Sequence, residues 1–249
     1  MPYDFTANKN LLKDVSSAKI SFVFKISSSA KKILGCLFPD LCLYCGNKIN
    51  GVAPQIRYLC PSCFSQIIPA GRQAPRQDRH KKKPAYDYLV CAAAYREPLI
   101  ALIKLFKYHE YDYLAGFLGS LLADRITPLG LPLKEFAIVT SVPMHPARLK
   151  ERGYNQAAEL AKILSKKTRL PYNDLLTVKQ FKQPQAQTPK QDRRANVADI
   201  FTVTADITGQ SIILIDDVYT TGSTIDECSR ALKAAGAKKI IAATLAKAS

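Results

Sequence analysis

Four cysteines fall in two pairs, Cys42-Leu-Tyr-Cys45 and Cys60-Pro-Ser-Cys63, with fourteen residues between them. Zinc takes four thiolates in a tetrahedron, and a CxxC turn aims two sulfurs at one ion. Gly46, directly behind the first pair, allows the tight backbone such a turn needs. Two pairs close the coordination sphere, so zinc (Zn2+) bound by Cys42, Cys45, Cys60 and Cys63 would be structural. It would also supply much of the folding energy of a segment with little core. A redox pair and chance clustering are the alternatives; a redox CxxC adjoins a βαβ pattern, and none adjoins these cysteines. Cys36, Cys91 and Cys228 stand alone and read as packed thiols. Seven cysteines in all make a poor disulfide framework and fit a reducing cytoplasm.

The second constellation runs Ile212-Ile213-Leu214-Ile215-Asp216-Asp217-Val218-Tyr219-Thr220-Thr221-Gly222-Ser223-Thr224. An apolar strand ends in two adjacent carboxylates, and a loop of hydroxyls with one glycine then opens a helix. Open α/β sheets bind ligands at the carboxyl ends of parallel strands. The amides of Thr221–Thr224 and the helix N-terminus make a nest for phosphate. Asp216 and Asp217 can accept hydrogen bonds from vicinal hydroxyls, or help hold Mg2+ through water. Together these groups suit a sugar with a phosphate on one end. A Ser or Thr helix cap accounts for Ser223 or Thr224 alone and not for the aspartate pair. No Walker pattern is present.

Two basic stretches stand beside these groups. Val142-Pro143-Met144-His145-Pro146 follows another apolar strand and leads into Arg148, Lys150 and Arg152. Cations there can neutralise phosphate charge, or they are solvated arginines on a helix start; beside the aspartate loop, phosphate contact is the favoured reading. His145 receives no catalytic role. Residues 179–196 carry Lys179, Lys182, Lys190, Arg193 and Arg194 against one acid, Asp192. They fit a basic lobe closing on phosphates. They equally fit a track for a nucleic-acid backbone, with Phe181 or Tyr172 as a stacking face, or a plain loop. Arg79-His80-Lys81-Lys82-Lys83 is a further polyanion candidate, and as readily a solvated run.

Such groups need a frame. Residues 1–35 form an N-terminal extension without a motif, and 36–70 the four-Cys zinc-binding module. Residues 71–84 (GRQAPRQDRHKKKP) read as a basic linker and 85–249 as an α/β domain. Within that domain the apolar patterns predict strands at 87–95, 136–142, 211–215 and about 239–245. Helices are expected at 97–108, 112–126, about 154–167 and about 224–235. Strands separated by helices mean a parallel sheet with covered faces.

Composition sets the outer bounds. The chain has 249 residues, 47% apolar and 22% charged, a balance that excludes wholesale disorder. No apolar run reaches the ~18 residues of a membrane span, and 17–28 (SAKISFVFKISS) lacks the uninterrupted apolar core of an export signal. The net charge is +16, a field that attracts nucleic acid, phosphorylated metabolites or anionic membrane.

The Asp216–Thr224 segment resembles the 5-phosphoribosyl-1-pyrophosphate (PRPP) motif of type I phosphoribosyltransferases. With a zinc module ahead of that domain, the chain is similar to the ComF family, associated with natural competence, natural transformation and DNA uptake. Leu37-Phe38-Pro39, Val142-Pro143-Met144-His145, Arg152-Gly153-Tyr154-Asn155-Gln156 and the series Gln187-Thr188, Gln191, Arg194, Asn196 extend the likeness over about residues 36–249. The resemblance implies a phosphoribosyltransferase-like domain in which Asp216 and Asp217 face the ribose hydroxyls. Thr220, Thr221, Gly222, Ser223 and Thr224 would hold the 5-phosphate, with Mg2+ bound through water, and Arg148 and Arg152 would lie by the pyrophosphate. Single-stranded DNA would meet Lys182, Lys190, Arg193 and Arg194, and a competence-type helicase or other DNA-uptake protein is an implied partner. Two functions fit: a DNA-handling protein that binds or senses PRPP, and an active phosphoribosyltransferase passing ribose 5-phosphate to a nitrogenous base or amine. Some members of the wider superfamily place an acid in the phosphate loop as a base; position 220 here is Thr.

Overall fold

The computed structural model describes residues 41–49, 58–73, 83–108, 111–127, 135–179 and 200–248, with side chains of 71–73 excepted. These divide into two compact units. One draws on the chain up to Ile67 and on Arg96–Tyr113; the other on Ile68–Tyr95 and the chain from Leu114 onward.

The first unit holds the cysteine pairs and two short helices, α1 (Pro61–Ser65) and α2 (Leu99–Leu105). Helix α2 buries Leu99, Leu102 and Ile103 on one face, and Phe106 directly after it is also buried. Glu97 accepts a hydrogen bond from the Ala101 amide at 3.1 Å and so satisfies one first-turn donor. Tyr58 and Tyr113 pack ring to ring at 5.2 Å between centroids.

The second unit is built on a five-stranded sheet: β1 (Pro69–Gln73), β2 (Tyr88–Ala94), β3 (Ile138–Ser141), β6 (Ser211–Tyr219) and β7 (Lys239–Lys247), in the order β1-β2-β7-β6-β3. β2, β7, β6 and β3 are mutually parallel, and β1 runs antiparallel along β2 at the edge. The sheet is therefore mixed, mostly parallel rather than wholly so. Residues Pro69–Gln73 belong to it, so the stretch read as module end and linker start is partly an edge strand. Pro69 and Gly71 are tolerated there because an edge strand leaves one side unpaired. Of the rest of the expected linker, 74–84, residues 74–82 lie outside the described residues, as do 1–40.

Parallel strands covered on both faces read as unbroken apolar runs, which is why Ile212–Ile215 and Ile240–Ala243 are fully buried. Ile212, Leu214, Ile240 and Ala242 form one core with Ile225, Cys228 and Leu232 of α6 (Ser223–Ala234). Alternation turns Ile213 and Ile215 to the other face. There α3 (Leu114–Ile126) and α5 (Gln156–Thr168) pack against the sheet. Two elements beyond the expected set complete the unit: a helix α4 (Pro146–Arg152) and a two-stranded ribbon of β4 (Leu176–Val178) and β5 (Phe201–Val203).

Candidate functional site

β6 and β3 are parallel neighbours, and their carboxyl ends lie side by side. The Val142 amide donates to Ile215 at 2.8 Å, extending the ladder one step beyond β3. The chain thus turns into Pro143-Met144-His145 alongside Asp216. The two stretches singled out in the sequence, 142–152 and 216–224, are brought to one edge of the sheet.

Strand β6 runs on through both aspartates to Tyr219, so the carboxylates sit within its last residues and not beyond its end. Both are half-buried. Each is oriented by the amide that follows it: Asp217 N–H donates to Asp216 Oδ1 at 2.8 Å, and Val218 N–H to Asp217 Oδ1 at 2.6 Å. Cys228 lies close enough to Asp216 that burial first, and then this carboxylate, push its thiol well above the usual range.

The loop that follows exposes the side chains of Thr220, Thr221, Ser223 and Thr224 and buries Gly222. The cap of α6 is neither Ser nor Thr but Gly222, in the left-handed region at φ +79. Glycine has no side chain with which to cap, so the N-terminus of α6 receives no hydrogen bond from its cap residue. Thr221 and Ser223 join hydroxyls at 2.9 Å. The Tyr219 hydroxyl and ring occupy the place where a Cβ on residue 222 would stand, so the bend has room for glycine alone.

Beyond β3, His145 caps α4 by accepting from the Ala147 amide at 3.2 Å. No residue of α4 is buried; Arg148 and Lys150 are exposed. Arg152 is half-buried and donates to Gln156 Oε1 at 3.2 Å. Asn155 does two things that its sequence did not disclose. Its Oδ1 accepts from the Ala157 amide at 3.0 Å, capping α5, while its Nδ2 donates to the Val142 carbonyl at 3.0 Å. It thereby ties the helix start to the end of β3.

The ribbon is anchored on β3. Leu175 N–H donates to Thr140 Oγ1 at 3.2 Å, and the Tyr172 hydroxyl donates to Asp174 while lying 3.1 Å from Ser141 Oγ. The basic segment leaves from Lys179 and returns at Ile200, which are joined by a backbone hydrogen bond of 2.8 Å. Lys182, Lys190, Arg193 and Arg194 lie outside the described residues.

In the first unit the four thiols of Cys42, Cys45, Cys60 and Cys63 converge, all sulfurs lying within 4.8 Å of one another. Cys45 and Cys60 are 3.7 Å apart. With Zn–S bonds of ~2.3 Å, a tetrahedron has sulfur edges of about 3.8 Å. The arrangement can hold a metal ion such as zinc. Its frame is a knuckle: Gly46 at φ +74 returns its amide to Cys42 O at 2.9 Å, the Cys42 amide bonds Asn47 O at 2.8 Å, and Cys60 opens α1. Burial works against charge on Cys42. Amides of Cys45, Cys60 and Tyr44 outweigh it and bring the thiol down to about 7. Burial raises Cys45, and burial together with the neighbouring sulfurs raises Cys63. Cys91 and Cys228 are fully buried in the other unit, as packed thiols should be; Cys36 lies outside the described residues. Among the described residues no helix is long and apolar enough to cross a membrane.

Residues 150–249 match the family model of the phosphoribosyl transferase domain. The chain is 32% identical over 203 residues to competence protein F of Haemophilus influenzae, covering 73% of this chain and 87% of that protein. It is 30% identical over 193 residues to the DNA utilization protein YhgH of Escherichia coli K12, covering 73% and 81%. Competence protein ComFC of Bacillus subtilis matches at 37% over 101 residues, 41% of this chain and 40% of that one. The match to the domain model begins inside α4 and takes in the whole of 216–224.

Proposed function

The chain belongs to the competence protein F (ComF) family, and from that membership we propose that it acts in DNA uptake during natural transformation, binding PRPP with Mg2+ and single-stranded DNA. The observation that carries the ligand reading is the pairing of half-buried Asp216 and Asp217 with an exposed hydroxyl loop whose helix has glycine as its cap. Phosphate oxygens accept from the amides and hydroxyls of Thr220–Thr224, and the helix dipole favours their charge. The aspartates take the ribose diol and, through water, Mg2+. Arg148 and Arg152 lie on the neighbouring strand's exit and face the pyrophosphate.

Cys42, Cys45, Cys60 and Cys63 hold a structural zinc that fixes the first unit. The basic segment with Lys182, Lys190, Arg193 and Arg194 binds the DNA backbone. The cysteine usage supports cytoplasmic placement, and the family's association with uptake supports a competence-type helicase or other DNA-uptake protein as partner.

Titration calorimetry with PRPP and Mg2+ tests the pocket. Asp217→Ala should abolish the heat while leaving the thermal transition in place. Binding unchanged in that variant would remove the pocket from the proposal. Release of pyrophosphate on adding a nucleobase or amine would assign turnover to the same pocket instead of sensing.

A further inference from the structure

Tyr86 stands 133 positions before Tyr219 in the chain, yet their hydroxyls meet at 3.1 Å. Tyr86 is 97% buried, with a relative exposure of 3%. Its hydroxyl is held far above the ordinary tyrosine range by burial and then by Tyr219, so it stays protonated. The Tyr219 hydroxyl in turn rests against Gly222, where any side chain would collide with it. The Tyr219 ring also carries the Lys247 ammonium 5.3 Å from its centroid, and the Tyr219 backbone carbonyl accepts from the Ala248 amide at 2.8 Å.

The segment that delivers Tyr86 is itself fastened to α6. Ala85 N–H donates to Asp226 Oδ1 at 2.7 Å, and Arg230, which pairs with Asp226 at 2.7 Å, reaches the Lys83 carbonyl at 3.4 Å. Asp87 accepts from the Ile240 amide at 2.7 Å and pairs with Lys233 at 3.0 Å. Residues 83–87 are thus a strap laid along the helix whose N-terminus forms the loop.

We infer that Tyr86 is a positioning residue for the anion loop: through its hydroxyl it fixes Tyr219, and Tyr219 fixes the left-handed Gly222 bend on which the amides of 221–224 depend. This rests on the proposed phosphate-binding role of Thr220–Thr224. Preorganised amides bind an anion without the cost of ordering the loop first. Its effect on the loop passes through the tyrosine pair.

The test uses the full chain loaded with zinc, with inorganic phosphate and PRPP plus Mg2+ as separate probes. Tyr86→Phe and Tyr219→Phe each remove one hydroxyl and keep the ring. Loss of one neutral hydrogen bond should weaken both probes by roughly three- to tenfold. The double variant should be no weaker than either single one, because the two hydroxyls act as one link. Asp217→Ala should abolish PRPP binding while inorganic phosphate still binds, which separates the loop from the sugar contacts. Should both Phe variants lower the melting temperature while the affinities stay put, the pair is a packing feature and the inference fails although the pocket stands. Additive losses in the double variant would overturn it too. If the unaltered protein binds neither probe, the phosphate reading and the inference fall together.

Discussion

A thiol binds metal only after giving up its proton, so the four cysteines carry a pH dependence in their surroundings. Cys42 sits at about 7, while Cys45 and Cys63 are raised by burial. At neutral pH the last two begin protonated and must lose their protons as the ion enters. Zinc affinity should therefore climb as pH rises through 7. It should fall more steeply below 7, where Cys42 also takes up a proton. Calorimetry in two buffers of different ionisation enthalpy reads this directly: the apparent heat must differ between buffers at pH 7. Equal heats would mean that the thiolates were already formed. Cys42→Ser should lower the metal content from one ion per chain to a substoichiometric level. The same residue scale marks where the sequence was readable. The CxxC spacing fixes the ligand set because two sulfurs three positions apart turn toward one point whatever surrounds them. The Tyr86–Tyr219 contact left no local pattern, since it joins residues 133 positions apart in the chain.

Helix α5 offers the sharpest element-scale argument, because one side chain both starts it and joins it to the sheet. Asn155→Ala should remove the cap to the Ala157 amide and the tie to the Val142 carbonyl. A lost cap costs about 1 kcal/mol, or a drop of roughly 2–4 °C in melting temperature for a chain of this size. Asn155→Asp keeps the capping oxygen and loses only the donor, so it should recover most of that drop. A melting curve unchanged in Asn155→Ala would show that the dual contact contributes nothing. The elements differ in how far the sequence exposed them. Ile212–Ile215 announces a buried strand through its apolar run. The extension of β6 through Asp216–Tyr219 was hidden, because pairing with Thr244–Lys247 of β7 holds it in the sheet and not side-chain polarity. α4 buries nothing, so it has no apolar stripe for a 3.6-residue period to reveal. β4 and β5, three residues each, are shorter than any alternation can mark. β1 contains Pro and Gly, which read as turn until an edge position makes them acceptable.

At the scale of the whole molecule the excess of positive charge is the dominant fact. A net +16 attracts any polyanion, so binding of DNA by itself says little about where the strand lies. Salt dependence separates a diffuse field from a defined track, because each phosphate neutralised releases condensed counterions. For single strands the log–log slope is about −0.7 per contact. Four contacts, from Lys182, Lys190, Arg193 and Arg194, would contribute about −3. Replacing those four with alanine leaves the chain strongly basic. A diffuse field would therefore keep most of its slope, whereas a track through this segment should lose about three units of it. Fluorescence anisotropy of a labelled oligonucleotide over a salt series measures both variants under the same conditions. A slope unaltered by the fourfold substitution would move the DNA away from this segment to other basic surfaces. Any surviving affinity would then be a property of the field, with the proposed PRPP pocket and the thiol cluster untouched by the result.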